Sequence, residues 1–140
     1  MADETVTAAN VQKGATAKTE TLICGEALGI GVPVYKDAAD GNKAKKGQAT
    51  STKYKVYGVT LSSTSAAGQP VEVNIEDDDF TPGFTVVVNQ VYGVSATAGG
   101  ICPHADYTTG DYGNIFMVGK STSKVKLKCS EFGRGDGASA

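Results

Sequence analysis

The sequence predicts an all-β protein, a small β-barrel or β-sandwich with an extended N-terminal arm, on three observations. Val and Ile together number 20 against six Leu and Met, and 15 Thr add to them; β-branched side chains lose χ1 freedom in a helix but pack well on a pleated sheet. Eighteen Gly and four Pro supply turns rather than helix interiors, which excludes a helical bundle and a doubly wound α/β fold. Short apolar segments recur between turn signals, the grammar of barrels and sandwiches. At 140 residues a single core is expected, and a two-lobed enzyme with a cleft between domains is not.

Residues 1–20 are read as the arm. After Met1, their sizeable apolar groups are Val6 and Val11, so the stretch cannot by itself bury enough surface to offset its ordering entropy. Extended, it would reach on the order of 60 Å, far enough to grip a neighbouring molecule, and Val6 and Val11 are its candidate contact residues. Residues 21–130 are read as one β domain with strands at 21–24, 32–36, 54–60, 70–76, 84–94, 113–118 and 123–129. Apolar residues alternate at 71, 73 and 75 and again at 125, 127 and 129, which gives each of these strands one wet face. The run Phe84-Thr85-Val86-Val87-Val88 does not alternate after Phe84 and reads as a strand covered on both sides. Val56-Tyr57-Gly58-Val59-Thr60 and Val91-Tyr92-Gly93-Val94-Ser95 are near-repeats that support repeated β architecture. Residues 131–140, rich in Gly, Ser and Ala, are read as a flexible tail.

Charge and chemistry narrow the function. Thirteen basic against 15 acidic residues do not suit a protein that binds by neutralising phosphates, so nucleic acid is not an expected partner. No apolar run approaches the roughly 18 residues of a membrane span, and the polar start MADETVTAANVQKG lacks the features of a secretory signal. A soluble chain made in a reducing cytoplasm is expected, with Cys24, Cys102 and Cys129 as free thiols. Cys102, His104 and Asp106 would share one strand face, but they fall short of a zinc ligand set, and Pro103 interrupts the strand. Glu76-Asp77-Asp78-Asp79 lacks the spacing of an EF-hand loop and reads as a solvated turn. No nucleophile–base constellation or phosphate loop emerges, so the chain is read as a non-enzyme without cofactor or metal. Arg134-Gly135-Asp136 resembles the integrin-binding tripeptide, a role that cytoplasmic synthesis disfavours. Residues 36–55 carry six Lys and residues 120–128 carry four, whereas residues 72–79 carry five acids and no base. Either these charges are solvated loops, or opposite patches steer copies or partners into register.

One further pattern runs through most of the chain. It comprises Gly25-Glu26-Ala27-Leu28-Gly29-Ile30-Gly31-Val32-Pro33-Val34-Tyr35, the Val56–Thr60 phrase leading to Ala67-Gly68-Gln69-Pro70-Val71-Glu72-Val73, the Val91–Ser95 phrase with Gly99-Gly100-Ile101, and Met117-Val118-Gly119-Lys120. In this order the segments resemble the bacteriophage head-decoration, or capsid cement, proteins. The resemblance implies a β-rich domain, a homotrimer, on the outer capsid surface of the virion, made in the host bacterial cytoplasm and bridging neighbouring major capsid proteins. The long polar arm and the acidic stretch 76–79 depart from simpler members. The alternative is a phage head-fibre or tail/baseplate module that binds host-surface saccharide or protein through an aromatic loop such as Asp106–Tyr112.

Overall fold

A computed structural model describes residues 3–129. Nine strands form one curled antiparallel sheet: β1 (Lys18–Ile23), β2 (Pro33–Asp37), β3 (Lys43–Lys46), β4 (Gly58–Thr60), β5 (Pro70–Phe80), β6 (Val91–Val94), β7 (Ile101–Pro103), β8 (Ile115–Gly119) and β9 (Val125–Lys128). Three single-turn 3₁₀ segments, Ala8–Asn10, Ala38–Asp40 and His104–Asp106, are the helical elements among the described residues. The all-β expectation holds, and the curl makes the sheet a half-barrel.

β5 is the spine. Val73 pairs with Glu20 of β1 and with Thr60 of β4, while Glu76 pairs with Lys18 of β1 and with Lys128 of β9. β1 therefore holds one edge of β5, and β4 and β9 follow one another along the other. One lobe runs β5-β4-β2-β3 and curls until a parallel bridge joins Cys24, just past β1, to Ala44 of β3. Its core is Leu22, Cys24, Leu28, Val34, Ala44, Val71 and Val73. The second lobe runs β5-β9-β8-β6-β7 around Phe80, Val86, Tyr92, Val94, Ile101, Met117, Val125 and Leu127. The alternation read at 71–75 and 125–129 is the cause: Val71, Val73, Val125 and Leu127 are buried, while Lys126 and Lys128 are exposed. Each near-repeat ends in a buried hydroxyl, but the two sit differently, the first contributing only Gly58–Thr60 to the sheet and the second Val91–Val94: Thr60 donates to the carbonyl of Gly29, and Ser95 accepts from the amide of Thr97.

Several expectations are corrected. Segment 84–90 is not strand: Val86 alone enters the core, and Val87 and Val88 are 59% and 50% exposed. The chain leaves β5 there through Pro82 and Gly83, and the amide of Val86 is taken by the carbonyl of Thr122 in the β8–β9 hairpin, so no ladder covers the valines. Residues 54–57 lie outside the ladder although Tyr54 and Val56 are buried. β3 falls within the lysine-rich stretch read as loop or patch; Ala44 turns inward, and Lys45 bonds Asp37 at 2.8 Å and Asp40 at 3.1 Å.

The acidic stretch 76–79 is also not a turn. It continues β5, with Phe80 in the core and Asp77 buried beside it. A buried carboxylate is costly unless its oxygens are satisfied. Asp77 Oδ2 accepts from the amide of Gly14 at 2.7 Å and from Asn74 Nδ2 at 2.9 Å, and Oδ1 accepts from the amide of Asp79 at 3.0 Å. The charge segregation of the sequence is spent largely within the chain. Glu72, Glu76, Asp78 and Asp79 lie 2.7–4.0 Å from Lys13, Lys18, Lys126 and Lys120 respectively.

Candidate functional site

The arm is the feature for which the sequence proposes a role, and it lies against its own body. The hydroxyl of Ser95 donates to the carboxylate of Asp3. The amide of Glu4 donates to the carbonyl of Ile101 at 2.8 Å, so the arm covers part of the outer edge of β7. The amide of Thr7 donates to Gly83 at 2.8 Å, the turn Ala8–Asn10 follows, and Gln12 and Thr81 exchange amide-to-carbonyl bonds of 3.0 and 2.9 Å. Gly14 is then held by Asp77, and β1 begins at Lys18, three residues before the expected start of the β domain. The strap covers backbone that would otherwise be an open template for another chain.

Val6 and Val11, the two residues singled out in the sequence, are half-buried together on the second lobe. Their seat is floored by Gly31 and Gly83, with φ of +79° and +86°, a region that L side chains rarely adopt. A Cβ on Gly31 would stand 2.8 Å from Val6 Cγ1, and one on Gly83 would stand 2.9 Å from Val11 Cγ2. Glycine is thus required twice, for the backbone and for the space. Sequence reasoning found the valines but missed Gly31, Gly83 and Asp77. Glycine turns at 29–31 and 82–83 were visible, but nothing local tied Gly31 and Gly83 to valines about 20 or more residues away.

Electrostatics act at the arm's tip. Burial, with the charges of Asp106 and Asp3 adding to it, holds the Glu4 carboxyl above its usual range. At the root of the sheet, the Lys120 ammonium beside Asp79 holds that carboxyl below its usual range.

The remaining candidates are dispersed. β7 ends at Pro103 and His104 opens a 3₁₀ turn, so Cys102, His104 and Asp106 do not share a strand face. Burial pushes the Cys102 thiol up to about 12, and it pushes the Cys129 thiol up as well. Burial also raises Cys24, but hydrogen bonds with Thr64 and with the backbone of Gln69, Glu26 and Gly68 outweigh it and leave this thiol lowered. All three cysteines are free, Cys24 and Cys102 being buried. Among the described residues no group of three His, Cys, Asp or Glu side chains is placed to hold a metal ion. The aromatic loop also turns inward. Tyr107 is half-buried under Gly113 with its hydroxyl at Asn114, and Tyr112 packs on Tyr54 with ring centroids 5.3 Å apart. Arg134-Gly135-Asp136 and the 131–140 tail lie outside the described residues. Comparison with protein-family models, curated proteins and solved structures returns no match for the chain.

Proposed function

We propose that the protein is a bacteriophage capsid decoration protein, a homotrimer on the outer surface of the mature head that stabilises the shell by bridging neighbouring major capsid proteins. The ordered run of segments that resembles the decoration family motivates the reading, and the arm's mode of attachment carries it. Four backbone hydrogen bonds, the side-chain bonds of Asp3 to Ser95 and of Asp77 to Gly14, and two half-buried valines hold the strap, all of them contacts of a kind that another surface can offer. A capsid surface offering the same edge hydrogen bonds and a deeper apolar seat would draw the strap from its own body, leaving the β domain bound alongside. Arm and body would then act as linked binding elements, and repetition over a symmetric shell multiplies a modest interface.

The test is cosedimentation of the intact protein with purified expanded phage heads, with the oligomeric state measured by light scattering. Saturable binding is expected, and Val6→Asp/Val11→Asp should weaken it at least tenfold while the body stays folded. No cosedimentation of the intact protein at about 10 μM, a concentration at which specific complexes form, would overturn the reading.

A further inference from the structure

The geometry points to a second binding site, a groove on the arm-covered lobe that takes a neutral saccharide. It is an open cleft of about 520 Å³ where three segments meet: Thr5, Asn10 and Gln12 line it from the arm, Phe84 and Thr85 from the chain after β5, and Thr122 from the β8–β9 hairpin. The volume falls within the roughly 300–1,000 Å³ of small-ligand sites. Every residue lining the cleft is uncharged, in a chain of which 20% is charged, so its surface differs from the ion-paired sheet around it.

The side chains of Thr5, Asn10, Gln12, Thr85 and Thr122 make no hydrogen bond to protein among the described residues. Hydroxyls and carboxamides both donate and accept, as sugar hydroxyls do, so the two surfaces match without a net charge on either. Phe84 supplies the one aromatic surface. It meets Tyr92 at 5.1 Å between centroids in an edge-on arrangement and stays half-buried, leaving part of its ring for the apolar face of a pyranose.

Other ligand classes fit less well. An anion would find no cation on the walls, and the nearby Lys124 ammonium is bound to Thr81 Oγ1 at 3.1 Å. An apolar ligand would strand the hydroxyls and amides without partners. An extended peptide needs free backbone, but the amide of Thr7 and both backbone groups of Gln12 are already paired. The arm forms one wall, so a bound saccharide holds the arm on its own body. This binding therefore opposes capture of the arm elsewhere, and it does not depend on the capsid reading.

The experiment is a ¹⁵N–¹H NMR titration of the full chain with maltotriose and chitotriose, using 3′-sialyllactose as the anionic comparison and tetraglycine as the peptide comparison. One neutral trisaccharide is expected to shift the amides of residues 5–12, 81, 83–85 and 122–123 with a Kd of about 1 mM, in keeping with an open site. Asn10→Ala/Gln12→Ala, which truncates exposed side chains, should weaken that Kd about tenfold through two lost hydrogen bonds. Phe84→Leu keeps an apolar side chain against Tyr92 and should also weaken it. The inference is overturned if neither neutral trisaccharide shifts these amides by about 10 mM, a Kd range still measurable as weak binding. It is equally overturned if sialyllactose or tetraglycine binds more tightly, or if the double variant binds as the parent does. Each result is obtained without capsids and leaves the cosedimentation test separate.

Discussion

Replacing Asp77 by Asn tests whether the acidic stretch is a buried clasp or a wet surface. The substitution keeps the shape and removes one acceptor. With the amide oxygen kept toward Gly14 N and Asn74 Nδ2, the new NH₂ meets the N–H of Asp79, donor against donor. One charge-assisted hydrogen bond is lost, at about 1.5–3 kcal/mol, and the other two lose their ionic character. Relief from burying a charge offsets part of this. The net loss is about 2–3 kcal/mol, which for a domain of this size lowers Tm by on the order of 8 °C. Urea unfolding at pH 7 gives the loss, and hydrogen exchange at Gly14 shows whether the root of the arm has been freed. A loss under about 0.5 kcal/mol, the ordinary scale of a surface substitution, with Gly14 protection unchanged, would refute the reasoning and return residues 76–79 to solvent.

Val6→Ala/Val11→Ala should cost about 1–2 kcal/mol at the arm and raise exchange at the Thr7 amide, leaving amides of β8 and β9 protected; equal loss in both places would make the arm part of the core. Glu4 gives the arm a pH dependence. Its carboxyl is raised in the docked state, so its stabilising effect is complete below the unfolded value of about 4.3 and is lost as pH rises through the raised value. Thr7 protection should therefore increase on acidification from pH 7 toward 4.5, and Glu4→Gln should remove the increase. Asp79 works in the opposite sense: its lowered carboxyl stabilises the fold above about 3.9, and that contribution fades as pH falls through the lowered value, which acid titration of Lys120→Ala should show as a smaller loss. A disulfide-exchange reagent at pH 8 should leave Cys102 unmodified until urea is added, because its thiol is both buried and raised; rapid labelling of native protein would contradict its burial.

The all-β class and the two strands with alternating burial were legible because they follow from local rules: β-branched composition, period-two alternation and glycine turns act within a few residues. Val6 and Val11 stood out for a similar reason, being isolated apolar groups in a polar stretch, but the sequence pointed them at a neighbouring molecule, and their seat on the chain's own body was not legible. The seat depends on Gly31 and Gly83, and the clasp on Gly14 and Asp77, which are 63 residues apart; a carboxylate in a strand looks like a turn until Gly14 arrives from far along the chain to join its local donors, Asn74 and Asp79. The same holds for Val87 and Val88, whose composition reads as a buried strand although no strand among the described residues pairs with them, and for the lysine-rich β3, whose Lys45–Asp37 pair forms only when β2 and β3 fold onto one another. Sequence set which residues prefer a sheet and which cannot be left alone. Tertiary structure decided which strands pair, which charges meet and where the arm lies, because hydrogen bonds and ion pairs depend on distances that the chain closes only when the whole sheet has curled.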